Sequence, residues 1–160
     1  MTAFETTIPV RLIPTSKVFD READVPYGGT VQFGAHGGVA EHYKMPPTAE
    51  PLPTTIDYLV ASVAGCLIGT FAGSLRRAKV RISPEALTGV ATGSVESDED
   101  KVLRLRRITV DYTLQLPEGE EQATVEDVHA AHAGRCPNAR SVGGCIDIVT
   151  TLTIVQAVVA

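Results

Sequence analysis

At 160 residues, 44% of them hydrophobic, the sequence is long enough to close a hydrophobic core without covalent staples. Its formal charge of -5 comes from interspersed acids and bases, which leaves no basic stripe for nucleic acid and no polybasic tail for a membrane surface. Three cysteines are too few and too odd in number for a disulfide scaffold, no charged-then-apolar leader opens "MTAFETTIPVRLIP", and a reducing cytoplasm is the expected compartment.

Residues 1–50 are expected to hold N-terminal strands. "TTIPVRLIPTSKVF" carries β-branched residues broken by Pro9 and Pro14, the pattern of short or edge strands. "FDREAD" reads as a loop and Tyr27-Gly28-Gly29 as a turn. "TVQFG" and "HGGVAEHYKM" then read as two strands joined by Gly37-Gly38, and "PPTAEPLP" is too rich in proline for a helix interior or a central strand.

A long helix is predicted over 54–79. Thr54 or Thr55 caps it, Asp57 suits the positive end of its dipole, and Arg76, Arg77 and Lys79 suit the negative end. From Tyr58 to Leu75 it carries no charge, with Gly65, Gly69 and Gly73 at the spacing of packed transmembrane helices. Its Ala, Gly, Ser, Thr and Cys content drives transfer into lipid only weakly, so the favoured reading is a helix buried on nearly every face at the centre of the fold.

"ALTGVATGSVES" and "KVLRLRRITVDYTLQL" predict a hairpin over 86–116, turning at "DED". A short helix follows over 122–134, with Thr124 as its cap and Gly134 as its stop, and a last strand runs over 145–159. Strands, a long helix, a hairpin, a short helix and a strand, without repeats or a linker, make a single α+β domain.

The three cysteines leave several chemistries open. Cys66, in mid-helix, reads first as a small core residue, because that position lacks the N-terminal dipole that activates thiols. Cys136 sits where Pro137 forces the chain to turn, and Arg135 and Arg140 add positive charge that favours a thiolate. His129, His132 and Cys136 fall at i, i+3 and i+7, with Cys145 as a fourth candidate metal ligand. An i to i+7 pair spans roughly 10 Å of helix axis, too far for one zinc unless Gly134 breaks the helix, so solvated or capping histidines are favoured and no resident metal or cofactor is expected.

Two blocks carry a resemblance to a known family. "PTTIDYLVASVAGCL" and "HAGRCPNARSVGGCIDI" are similar to the paired cysteine blocks of the OsmC and Ohr family, the osmotically inducible protein C and organic hydroperoxide resistance proteins, and order and spacing agree over roughly residues 28 to 158. The resemblance implies an OsmC-like fold in which antiparallel sheets wrap a long buried central helix, within an intertwined homodimer. It also implies thiol-dependent reduction of organic hydroperoxides, with Cys66 as the peroxidatic thiolate, Cys136 as the resolving thiol, and a small dithiol or another thiol as reductant. The family's peroxidase branch holds its thiolate with an arginine from the N-terminal strands and a glutamate near the start of the long helix. Arg21 and Asp57 match these positions most nearly, although Asp57 lies nine residues before Cys66 and Ile56 occupies the ten-residue spacing. Gly143-Gly144-Cys145 stands where many relatives have Arg-Gly-Asn, which makes Cys145 an extra thiol, expected to be inert. The alternative the resemblance allows is a non-peroxidase member that binds a small hydrophobic ligand at the dimer cleft.

Overall fold

The N-terminal sheet is built around a charged strand that the sequence reading takes for a loop. In the computed structural model, which describes residues 3–18, 20–116 and 118–156, β1 (Val10–Leu12), β2 (Arg21–Val25) and β3 (Gly29–Phe33) form an antiparallel sheet in that order. The chain gathers into two compact units, Met1–Tyr58 and Leu59–Ala160, and this sheet belongs to the first. Cross-strand pairing makes "READV" a strand despite its charges: Arg11 bridges Glu22 at 2.7 Å and Asp24 at 2.6 Å, and Thr30 Oγ1 donates to Asp24 Oδ1 at 2.8 Å. Alternation turns Ala23 to the opposite face, where it is buried. The expected turn closes β2 on β3, with Tyr27 and Gly29 both at positive φ and Gly28 N–H donating to Val25 O at 3.0 Å. β1 is a three-residue edge strand beside the expected prolines, whereas Phe19 lies outside the described residues.

The strand expected in "HGGVAEHYKM" is instead a short helix, α1 (Gly37–His42). Gly37 turns the chain at φ 50°, and Ala40 and Tyr43 N–H groups donate to the carbonyls of His36 and Val39. With Ala40 and Glu41 as helix formers and no alternating β-branched run, nothing in the segment favours a strand over this turn and a half.

Helix α2 (Thr55–Arg77) begins in the first unit and runs on into the second. Thr54 and Asp57 cap it reciprocally: Asp57 N–H donates to Thr54 Oγ1 at 3.1 Å, and Thr54 N–H donates to Asp57 Oδ2 at 2.6 Å. At the other end Lys79 enters the left-handed region at φ 66°, and Val80 N–H returns to Leu75 O at 3.0 Å, closing the last turn.

In the second unit β4 (Leu87–Ser97) and β5 (Leu103–Leu116) make the expected hairpin, and β6 (Asp147–Gln156) flanks β5 on its other side. β6 runs parallel to β5, so this sheet is mixed rather than antiparallel. The helical connection between them carries the chain back to the starting end of β5, which is what parallel pairing demands. Residues 157–159 of the predicted last strand lie outside the described residues.

One face of β5 supplies Ile108, Val110, Tyr112, Leu114 and Leu116, each at most 4% exposed. Against this core lies the α2 stripe Val63, Leu67, Phe71 and Leu75, spaced four residues apart and at most 1% exposed. Burying each of these large side chains contributes roughly 1.5–3 kcal/mol. α2 passes the length and composition test for a membrane span, with a mean hydropathy of 1.7, yet this stripe is packed on protein. The expectation of burial on nearly every face does not hold within one chain: Ala61, Ser62, Gly65 and Gly69 are exposed, because side chains this small leave a flat surface on that side of the helix.

Candidate functional site

Two helices and a proline bring the distant cysteines together in the second unit. α3 (Gln122–His132) ends in a single 3₁₀ turn, Ala133–Arg135. Its cap position is Glu121, so Thr124 sits inside the helix, with its hydroxyl donating to Glu121 Oε2 at 3.4 Å. Pro137 disfavours helical backbone at Cys136, which adopts φ -78° and ψ 120°. Pro137 also fits the first position of a new helix, so the chain starts α4 (Pro137–Val142) immediately, an element too short to leave a periodic signal in the sequence. Cys136 becomes its N-cap, and the sulfur accepts the Ala139 N–H at 3.5 Å.

Cys136 is 0% exposed, whereas Cys66, in the middle of α2, is partly exposed. The two side chains are neighbours in the core of the second unit. Burial pushes the Cys136 thiol up; the Ala139 N–H and the Thr70 hydroxyl oppose this, the neighbouring Cys66 adds to it, and the net direction is upward. Arg135 and Arg140, expected to favour a thiolate here, lie at the surface, and burial of the sulfur prevails. Thr70, one turn beyond Cys66, donates its hydroxyl to the Cys66 carbonyl at 2.8 Å and lies within reach of the Cys136 sulfur.

Beneath Cys136 lies an aromatic cluster of Phe71, Tyr112, His129 and His132, with ring centroids 4.9–5.8 Å apart. His132 Nδ1 faces the His129 carbonyl at 2.6 Å and must donate to it, which leaves Nε2 to accept the Tyr112 hydroxyl at 3.2 Å. Burial lowers the pKa of both imidazoles and raises that of Tyr112, so all three stay neutral near pH 7. His129 Nε2 is buried without a hydrogen-bond partner among the described residues.

With both nitrogens of His132 engaged and Cys145 exposed, its thiol donating to the Val142 carbonyl at 3.2 Å, the four candidate metal ligands do not converge. Among the described residues no three His, Cys, Asp or Glu side chains form a set able to hold a metal.

Asp57 and Arg21 meet other partners in the first unit. Oδ2 of Asp57 receives the Thr54 N–H, the Thr54 hydroxyl at 2.8 Å and His36 Nε2 at 2.8 Å. Burial pushes its carboxyl up, but these donors outweigh it and the net pKa is lowered. Arg21, in β2 rather than a loop, donates to the Gly34 carbonyl at 3.5 Å. Sequence reasoning passes over Thr70, Tyr112 and Asn138. The i+4 spacing of Thr70 from Cys66 is a usable signal, but nothing in the sequence points to Asn138, whose amide donates to Ser62 O at 3.0 Å and Ser62 Oγ at 2.9 Å.

The OsmC-like protein family model matches residues 48–151, which include both cysteine blocks. Comparison with curated proteins finds no match. Among solved structures the fold is similar to an OsmC-like protein from Mycoplasma pneumoniae, at 16% identity and a TM-score of 0.72 over 96% of this chain and 99% of that one. It is also similar to an OsmC-like protein of unknown function from Vibrio cholerae, at 14% identity and a TM-score of 0.75 over 94% of this chain and 100% of that one. The organic hydroperoxide resistance protein OhrB of Bacillus subtilis shares the fold at 13% identity and a TM-score of 0.66, over 94% of this chain and 98% of that one. With its α+β fold and both cysteine blocks inside the matched segment, the chain belongs to the OsmC-like protein family.

Proposed function

We propose that the chain is a single-domain, cytoplasmic, thiol-dependent hydroperoxide reductase acting on apolar organic peroxides. The observation that carries this reading is the pairing of a partly exposed Cys66 with a neighbouring, buried Cys136. Fold similarity to a hydroperoxide resistance protein supports it. The Cys66 thiolate attacks the terminal oxygen of ROOH; an S–O bond forms, the O–O bond breaks, and the alkoxide leaves as ROH after taking a proton. The resulting Cys66 sulfenic acid condenses with the Cys136 thiol, which forms the S–S bond and releases water. A small dithiol or another thiol reductant then restores both thiols, so the cycle runs without a resident cofactor.

Arg21 and Asp57 enter this proposal as the nearest matches to the family's thiolate-holding arginine and acid. Asp57 is engaged by Thr54 and His36, and Arg21 by the Gly34 carbonyl. A homodimer belongs to the same proposal: the small, exposed residues of α2 offer an apolar face that a second copy would cover.

Turnover of an alkyl hydroperoxide with a dithiol tests the reading. Cys66→Ser is expected to abolish it, and full activity in that variant would sink the proposal. A groove of about 850 Å³ along α2, with Ile68, Ala72 and Leu87 on its apolar side and Arg76, Lys79 and Arg81 also lining it, favours the hydrophobic-ligand reading as second choice. Protein that leaves peroxide intact yet carries a lipid-like molecule through purification would select that reading instead.

A further inference from the structure

The two cysteine blocks are joined by more than their sulfurs. Ser62, Cys66 and Thr70 follow one another at four-residue intervals along one face of α2. Cys136 lies beside Cys66 and Thr70 on this face, while Asn138, at the second position of α4, reaches the turn before Cys66 and donates from its amide nitrogen to Ser62, at 3.0 Å to the carbonyl oxygen and 2.9 Å to Oγ. In an α-helix the carbonyl of residue i accepts the N–H of residue i+4, so the carbonyl that Asn138 grips is the one that holds the backbone amide of Cys66.

We propose that Asn138 is a positioning residue for the thiol pair, a clasp that fixes the start of α4 against the Cys66 turn and thereby sets how readily Cys136 reaches Cys66. Two features make the clasp stiff. Asn138 follows Pro137, whose φ is fixed, and α4 is closed behind it by Arg140 N–H on Cys136 O at 3.0 Å and by Ser141 Oγ on Pro137 O at 2.8 Å. A disulfide needs its sulfurs about 2.05 Å apart with a near-perpendicular dihedral, and holding the two backbones in register beforehand removes much of the entropic cost of reaching that geometry. The clasp never touches the reacting atoms and acts through the positions of both cysteines.

The inference deepens the thiol-pair reading and rests on it, so its test avoids peroxide. The whole chain is equilibrated with mixtures of reduced and oxidised dithiothreitol; the protein dithiol gives two electrons and two protons to the oxidised reagent, gaining its disulfide as the reagent becomes the dithiol. Loss of the Asn138 amide contacts to Ser62 is expected in Asn138→Ala to lower the equilibrium constant for the protein disulfide about tenfold, which is a shift of about 30 mV toward a more oxidising potential. Ser62→Ala keeps the carbonyl acceptor and is expected to give a smaller shift in the same direction. In a Cys136→Ser background, Asn138→Ala is expected to leave the alkylation rate of Cys66 unchanged, because a general loosening of the fold would alter it and loss of the clasp would not. Unchanged constants in both Asn138→Ala and Ser62→Ala would overturn the proposal, as would a wild-type chain that forms no Cys66–Cys136 disulfide in oxidised dithiothreitol. A wild type that forms the disulfide with dithiothreitol but not with alkyl hydroperoxide would instead remove the peroxidase reading and leave the clasp standing.

Discussion

Tyr112 and His132, 20 positions apart in the chain, meet at 3.2 Å inside the second unit, hydroxyl to Nε2. That bond and the His129 carbonyl on Nδ1 hold His132 as a neutral tautomer, and burial holds both imidazoles below the usual pKa of 6.5. As pH falls through about 6.5 the unfolded chain takes up protons before the folded one, so these histidines lower stability progressively below that point. His129→Phe keeps a ring in the cluster and removes a buried nitrogen that has no partner. The variant is expected to be at least as stable as the parent at pH 7.5 and to lose less stability between pH 7 and pH 5. Chemical denaturation at the two pH values checks this, and an unchanged slope would count against the neutral cluster.

The helix cap behaves with the opposite sign. Donors on Asp57 lower its carboxyl pKa despite burial, so its contribution is complete above the unfolded value of about 3.9 and is lost as pH falls through the lower folded value. Asp57→Ala is expected to cost about 1 kcal/mol at pH 6, from the capping interaction, and much less near pH 2. Thermal midpoints of parent and variant at the two pH values measure the difference. A constant gap would show that the carboxylate charge is not what holds the cap.

At Gly93 on β4 an added Cβ would stand 2.7 Å from Val60 Cγ2 and 3.0 Å from Leu105 Cδ1. Leu105 can swing its methyl aside, but the branched Val60 on α2 is stiff, so helix and sheet would have to part slightly. Gly93→Ala is expected to destabilise the fold by about 1–3 kcal/mol, the usual range for overpacking. Pairing it with Val60→Ala should recover part of the loss, and a denaturation cycle on the four proteins measures that coupling.

Elements with strong periodicity or strong punctuation were legible in the sequence. The alternation of Ile108, Val110, Tyr112 and Leu114 marks β5, and the cap at Thr54 with the uncharged run after it marks α2. The segments misread are those where local signals conflict with what the chain meets elsewhere. "READV" carries too much charge to read as a strand until Arg11 and Thr30 arrive from its neighbours, and β6 gives no sign of its parallel partner. At the candidate site both cysteines stand out in their sequence blocks, but the burial of Cys136 depends on packing that no local pattern encodes.

The account rests on Cys66 and Cys136 acting as one redox pair, and locating the bond after oxidation tests that most directly. The whole chain is treated with one equivalent of an alkyl hydroperoxide, free thiols are blocked, and the disulfide is mapped by mass spectrometry of the non-reduced digest. The expected result is a single linked pair of peptides carrying Cys66 and Cys136, with Cys145 recovered as a blocked free thiol. A bond between Cys136 and Cys145, or Cys66 recovered unoxidised, would contradict the account.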